Sequence, residues 1–286
     1  MWKYLPDYAQ NLPEGKEFIN GYLGADRGHD ETFHLLESGE GVRQHCLFFA
    51  AEYAIAHALT AYFQRQDLPD FKQWASVAAK LLIMREHEAP YSFNFEQWLW
   101  PLLSDNEELI SWMSQHRLYG IDPAQPGAEH KIDSHAYART IVLHLIRGDM
   151  AAVIQACERA LAEPEKFAKM KGRLQHFRFF LALAQGNRAE MATILHDMCS
   201  RKQRSRSFQF ELPLTAYFIV SYATLLAKLA YRHGYELEID TPWIPRDWLP
   251  VQALPRYEDP WPFMQRFDIW QPFAEPWSAW SPRKPV

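Results

Sequence analysis

The sequence has few cysteines and none of the short motifs that commonly identify an enzyme. Its three cysteines, Cys46, Cys157 and Cys199, are far apart and lie among apolar residues with helical character. This arrangement predicts buried thiols in a reducing compartment rather than disulfides. No GxSxG, HExxH, GxGxxG or GK(S/T) pattern occurs, and no cysteines are closely paired. Serine-hydrolase, zinc-protease, dinucleotide-binding and P-loop chemistry therefore have no motif to support them.

The chain also lacks an excess of positive charge and a recognisable leader. Its formal net charge is −5, which argues against a general nucleic-acid-binding protein, because such proteins need a basic face for phosphates. The same charge mildly favours a basic partner. The first residues, MWKYLPDYAQ, contain no basic segment followed by an apolar run. We therefore expect no secretory signal and a cytoplasmic protein.

Apolar and aromatic residues are plentiful. The 286 residues are 48% hydrophobic and 15% aromatic, enough for one large or two small domains. So many rings predict an aromatic-rich core, an exposed contact surface, or both.

The most informative stretch runs from residue 213 to residue 250. Its first part, PLTAYFIVSYATLLAKLAYRHG, predicts a helix that starts at Pro213, is buried on nearly all sides and ends at Gly234. Residues 235–240 then alternate apolar and acidic side chains, which predicts a short strand with one solvated face. The prolines that follow exclude further ladder pairing or a helix interior.

Helical signals fill the chain before this stretch. We expect an irregular lead-in, a short helix capped by Asp30, a buried helix over residues 42–66 and an amphipathic covering helix over residues 70–88. Ser104 and Glu107 have the spacing of a capping box for the next helix.

A weak internal repeat follows. Residues 145–151 align with residues 183–189 at an offset of 38 positions. In each copy a helix ends on glycine, and Asp149 or Asn187 caps the next helix. The repeat predicts packed helical hairpins.

Together these signals predict an all-α fold of stacked helical hairpins, with at most one short strand pair. Residues 1–241 would form the helical domain, and any subdomain boundary would lie within residues 118–133, the most loop-like internal stretch. Residues 242–286 are rich in proline and tryptophan and predict an extended arm packed on the helices. The end of the arm, around Trp270 to Trp280, either contacts a partner or covers the protein itself.

Few residues are arranged for chemistry. His130, Asp133 and His135 could bind a metal or move protons, although their spacing is not that of a zinc site, and Asp133 also suits an N-cap. Glu86, His87 and Glu88 are adjacent on a helix and so point in different directions. The basic run at residues 201–207 reads as a solvated connector or as a site for an acidic partner.

One family resemblance bears on function. The segment LLAKLAYRHGYELEIDTPWIPRDWLP, followed by RYEDPWPF, resembles the C-terminal signature of the immunity protein 49 family, helical proteins of bacterial polymorphic toxin systems. The resemblance is best over residues 221–263 and weaker over residues 50–61. It implies that the chain binds and inhibits a cognate antibacterial toxin, of the contact-dependent, type VI or Rhs type, without being an enzyme.

Three functions remain open at this point: an immunity protein, a helical-repeat scaffold for a peptide or protein, and a metal-dependent helical enzyme. For the first we expect a protein toxin as partner, no nucleic acid, no membrane, no cofactor, no metal and no catalytic residue. We expect the toxin contacts among acidic and aromatic residues, namely Glu86, Glu88, Trp98, Asp122, Glu129, Asp133, Glu236 and Glu238.

Overall fold

The computed structural model describes residues 7–24, 28–88, 98–115, 127–167, 172–200 and 214–270. Within these ranges the chain forms 12 α-helices and no strands, so the predicted all-α fold of packed helices is confirmed. The helices are α1 (Tyr8–Leu23), α2 (His29–Ser38), α3 (Arg43–Arg65), α4 (Leu68–Glu88), α5 (Leu99–Ser104), α6 (Glu107–Gln115), α7 (His135–Arg147), α8 (Met150–Leu161), α9 (Arg173–Ala184), α10 (Arg188–Met198), α11 (Ser221–Arg232) and α12 (Pro262–Gln265). Short 3₁₀ turns occur at Ala128–His130, Pro164–Phe167 and Arg246–Trp248.

Helices α3 and α4 form the central hairpin, with α1 and α2 packed on α3 and α5 packed on α4. Asp67 joins the two, and its Oδ1 accepts a hydrogen bond from the Asp70 amide at 2.9 Å. The prediction that α4 is an amphipathic covering helix is wrong. Its polar residues Lys72 and Ser76 are buried, because each has a polar partner inside the protein.

The prediction of an irregular N-terminal segment is also wrong, because residues 8–23 form α1. Asp7 caps it by accepting a hydrogen bond from the Ala9 amide at 3.0 Å. Pro13 and two glycines conceal this helix in the sequence. Gly15 is required by packing: a Cβ built there would lie 2.6 Å from Cβ of Tyr217.

Three predicted helix caps are one or two residues from the real ones. Asp30 lies in the first turn of α2 rather than before it. Ser104 ends α5, and Asn106 caps α6 by accepting hydrogen bonds from the Glu108 amide at 3.1 Å and from the next amide. Asp133 precedes the true cap of α7, Ser134, whose Oγ accepts from the Tyr137 amide at 3.0 Å. In each case, residues of types that can cap a helix lie within one or two positions of each other, and the backbone geometry decides which of them is the cap.

The predicted repeat is confirmed as two helical hairpins, α7–α8 and α9–α10. Gly148 and Gly186 end the first helix of each pair at φ values of 75° and 71°, where glycine avoids a Cβ clash. Asp149 and Asn187 then cap the second helices, accepting from the amides three residues ahead at 3.2 and 3.1 Å.

Helix α11 joins the hairpins to the core, because it packs on α5, α9 and α10. Ten successive residues, 221–230, are buried, as predicted. The predicted start is wrong: residues 214–218 form turns, and the Val220 amide donates to the Trp243 carbonyl at 3.0 Å. The end at Gly234 is confirmed, with its amide bonded to the Tyr231 carbonyl at 3.0 Å. Pro213 lies outside the described residues.

Residues 235–240 are extended but pair with no strand, so the predicted strand is absent from this part of the chain. The predicted alternation of burial is nevertheless correct. Leu237 and Ile239 are buried, whereas Glu236 and Glu238 are exposed. The alternation of apolar and acidic residues thus marks an extended segment that packs one face on helices and forms no backbone hydrogen bonds with a neighbouring strand.

The proline-rich segment crosses the helices as predicted, as far as residue 270. Trp248 stacks on Phe71 of α4 with ring centroids 4.2 Å apart. Trp261 stacks on Phe33 of α2 at 4.4 Å. Residues 271–286, which include the rest of the predicted contact region, lie outside the described part of the chain.

A buried group of charges ties this segment to the helices. Asp105 forms ion pairs with Lys72 at 2.9 Å and with Lys228 at 2.8 Å, and the three side chains are 0–3% exposed. Asp105 also accepts a hydrogen bond from the Gln252 amide at 3.1 Å. We call Lys72, Asp105 and Lys228 the buried ion cluster.

Lys228 contributes the most contacts to this cluster. Its ammonium donates to the carbonyl oxygens of Trp248 at 2.9 Å, Leu249 at 3.2 Å and Pro250 at 3.0 Å. Burial lowers the pKa of Lys228 to about 8, against the raising effect of Asp105. A buried charge is tolerated only when its donors are satisfied, and here the backbone of the arm supplies the acceptors.

One described helix, α3, is long and apolar enough to cross a membrane by composition alone. More than half of its apolar window, 56%, is buried against other parts of the protein. The packing is that of a core helix.

Candidate protein-binding site

A surface groove lies where α1, α2 and α3 meet. It encloses about 470 Å³, within the range of small-ligand and side-chain pockets. The C-terminal end of α1 forms one wall, α2 the second and the first turns of α3 the third. The lining residues are Tyr22, Gly28, His29, Glu31, Thr32, Leu35, Val42, His45, Cys46 and Phe49. We call this the α1–α3 groove.

Two large apolar side chains at the groove are exposed to solvent. Val42 is 55% exposed and Phe49 is 50% exposed. They lie seven positions apart, about two turns of α3, and both line the same groove. The other exposed large apolar side chains of the described chain, Val251 and Trp270, lie on the arm. The groove therefore combines concavity with exposed apolar surface, as protein-binding sites do.

The polar part of the rim is acidic. Glu31 lines the groove, and no lysine or arginine is among its described lining residues. Asp30 and Glu40, at either end of α2, are also exposed. Behind the wall, Glu52 accepts a hydrogen bond from the Tyr22 hydroxyl at 3.2 Å. Glu31 gives the described lining of the groove a negative charge, which attracts cationic groups.

The groove has little capacity for chemistry of its own. Cys46 is free and buried, and burial raises the pKa of its thiol, which disfavours the reactive thiolate. His29 is held by a contact of 2.7 Å between its Nε2 and the Tyr22 carbonyl oxygen. Among the described residues, no group of three histidine, cysteine or acidic side chains could hold a metal ion.

The residues singled out for metal or proton chemistry do not form a site. His130 is largely exposed and lies 3.7 Å from Glu129. His135 faces the guanidinium of Arg173, with 2.8 Å between its Nδ1 and Nη2. Burial and that cation lower the pKa of His135 to about 4. A neighbouring fixed cation repels a metal ion, so His135 is a hydrogen-bonded structural residue.

The predicted acidic contacts are not brought together. Asp133 lies at the N-terminal end of α9, where its carbonyl accepts from Arg173 at 2.7 Å. Glu236 and Glu238 follow Tyr235, which lies against Gly186 just beyond the other end of the same 12-residue helix. The helix that separates the two sets is about 18 Å long at 1.5 Å per residue. Glu129 is close in sequence to Asp133 and belongs with that end.

The remaining predicted contacts have other outcomes. Trp98 is 1% exposed, so the expectation that it contacts a partner is wrong: its indole is part of the core. Asp122 lies outside the described residues, and so do the side chains of Glu86 and Glu88, although their backbone belongs to α4. Trp270 is 41% exposed, and its indole donates to Glu108 at 3.3 Å.

No residue of the groove was among the predicted contacts. The available signal was the pairing of Val42 with Phe49 at a two-turn spacing next to the acids of α2. That signal is hard to recognise, because α3 is apolar on most sides and the sequence does not show which apolar face is left uncovered.

Comparisons with known proteins give no further identification. No protein-family model, no curated protein and no solved structure matches the chain.

Proposed function

We propose that this chain is an immunity protein that binds and neutralises a cognate antibacterial toxin in the cytoplasm. The observation that carries the proposal is the α1–α3 groove, where two large apolar side chains stay exposed beside an acidic rim. Exposed apolar surface of this kind is costly in a monomer and useful in an interface.

Two further features support binding rather than catalysis. The most deeply buried charges, those of the buried ion cluster, are occupied in holding the arm. The resemblance of residues 221–263 to the immunity protein 49 family points to the same class of function. The proposed mechanism is occlusion, in which the bound protein covers the active site or the substrate-binding surface of the toxin.

The interface energetics follow from the groove. Val42 and Phe49 would be desolvated at the centre of the contact, where aromatic anchors supply most of the affinity. The acids at the rim would mainly speed association with a positively charged toxin. A toxin bound in this way is inhibited without any covalent change.

Co-expression tests the proposal. The tagged chain is expressed with the predicted toxin domain of the neighbouring open reading frame, and complex formation and growth are measured. We expect a stable stoichiometric complex and rescue of growth. Rescue without a complex would instead indicate an enzyme that reverses the damage, and absence of both would refute neutralisation.

A further inference from the structure

Val42 occupies a position where a different residue type would stabilise the fold. It is the N-cap of α3, with φ −98° and ψ 97°, and it makes no side-chain capping hydrogen bond. Serine, threonine, aspartate and asparagine are strongly preferred there, because their oxygens accept from the free amides of the first turn. Valine leaves those amides without that acceptor.

The same side chain is also unfavourable for solubility, because it is 55% exposed. Two local preferences, for a capping residue and for a polar exposed side chain, are thus broken at one residue. Such conflicts between local preference and sequence are expected at functional positions. Phe49 lines the same groove and is 50% exposed, so it too is a large apolar side chain in contact with solvent.

We propose that the α1–α3 groove receives a basic segment of the partner, which inserts an apolar side chain between Val42 and Phe49. This inference rests on the proposed function for the identity of the partner as a toxin. The chemistry of the segment follows from the groove itself: its lining includes the exposed apolar side chains of Val42 and Phe49, and the carboxylate among its described lining residues is that of Glu31.

A partner-independent binding test uses a short amphipathic peptide of leucine and lysine, with a glutamate-for-lysine counterpart as control. The lysine peptide should bind the full chain, and Phe49→Ser should weaken binding by roughly tenfold or more, as for a central interface anchor. Val251→Ser is the matched control, because Val251 is 45% exposed but lies on the arm. Equal binding by Phe49→Ser, or by the glutamate peptide, would overturn the proposal.

Val42→Ser separates binding from folding. Serine supplies the missing cap, so this variant should unfold at a higher urea concentration than the wild type while binding the lysine peptide more weakly. A loss of binding in a more stable protein is not a folding defect. If Val42→Ser binds as well as the wild type, Val42 is not part of the site.

Charge reversal tests the rim. Glu31→Lys should weaken binding of the lysine peptide and reduce its dependence on salt, since screening weakens long-range attraction. Glu238→Lys makes the same change at an exposed position outside the groove and should have no effect. Similar losses in both variants would show that net charge, not the groove, governs binding.

The same variants are then tested against the predicted toxin domain of the neighbouring reading frame. Loss of complex and protection in Phe49→Ser and Val42→Ser, with both kept in Val251→Ser, supports the inference. If these variants protect as well as the wild type, the toxin binds elsewhere and the inference fails while the proposed function stands. If the wild type gives no protection yet peptide binding depends on Val42 and Phe49, the proposed function fails and the groove specificity stands.

Discussion

Replacing Asp105 with asparagine should be among the most destabilising single-atom changes in this protein. The substitution removes one charge and leaves Lys72 and Lys228, which are 3% and 0% exposed, without their shared carboxylate. Removing one partner of a buried ion pair costs about 3–5 kcal/mol. The backbone is not expected to change, because Asp105 has φ 56° and asparagine tolerates this left-handed conformation well.

The assay is urea and thermal unfolding followed by circular dichroism. A loss of this size should lower the melting temperature by about 10 °C for a chain of this length. Glu107→Gln is the control, because Glu107 pairs with Arg232 at 2.8 Å but is 60% exposed, and exposed pairs contribute about 1 kcal/mol or less. A deficit in Asp105→Asn no larger than that of Glu107→Gln would refute the assigned role of the buried ion cluster.

The deficit should also depend on pH. Burial already lowers the pKa of Lys228 to about 8, and removing the carboxylate lowers it further. Between the lowered pKa of Lys228 in the variant and the pKa of an unfolded lysine, the unfolded chain holds a proton that the folded variant has lost. Stability of the variant then rises with pH, so the deficit of Asp105→Asn should narrow as the pH rises towards 8, above which the folded wild type loses the same proton. A deficit that widens as the pH rises would contradict the predicted direction of this pH dependence.

Three further predictions concern other elements. Gly15→Ala should destabilise the protein by about 1–3 kcal/mol, because the added methyl group overpacks α1. Gly21→Ala in the same helix has open space around it and should stabilise the protein by up to about 1 kcal/mol. The urea midpoints of the two variants should therefore shift in opposite directions. Ser134→Ala should cost about 1 kcal/mol by removing the cap of α7, whereas Asp133→Ala should cost under about 0.5 kcal/mol in the same measurement; the reverse order would contradict the cap assignment. Burial lowers the pKa of His57 from 6.5 to about 4, so on acidification the unfolded state gains a proton first and stability falls as the pH drops from 6.5 to 4. His57→Phe should make that fall shallower, by at most about 1.4 kcal/mol per pH unit because the imidazole is partly solvated. An unchanged slope would exclude His57 as a cause.

The sequence predicted best those elements whose signals are local. The turns at Gly148 and Gly186 were found because a glycine stop and a following cap lie within a few residues of each other. Helix α1 was missed because its proline and glycines are unfavourable locally and packing against residues 214–218 overrides that preference. The strand predicted at residues 235–240 is absent for a related reason. Alternation of apolar and polar residues shows that one side of an extended segment is buried, but not whether it packs on a sheet or on helices.

The candidate site could not be predicted in the same way, because its residues meet only in the folded chain. The groove joins Tyr22, Glu31 and Phe49 from three helices, and exposure of the last depends on which neighbours cover α3. Lys72, Asp105 and Lys228 are separated by 33 and 123 positions along the chain. Composition alone made α4 look like a covering helix, since its buried lysine reads as solvated.

The backbone carbonyls that surround Lys228 bear on how the chain matures during synthesis. The acceptors at Trp248, Leu249 and Pro250, and the Gln252 amide that reaches Asp105, are made after every helix from α1 to α11. Until that stretch leaves the ribosome, the helical core contains two lysines and one aspartate with an incomplete set of partners. Its final packing therefore waits for the arm, and a nascent chain stopped before residue 248 lacks the carbonyl oxygens that accept from Lys228.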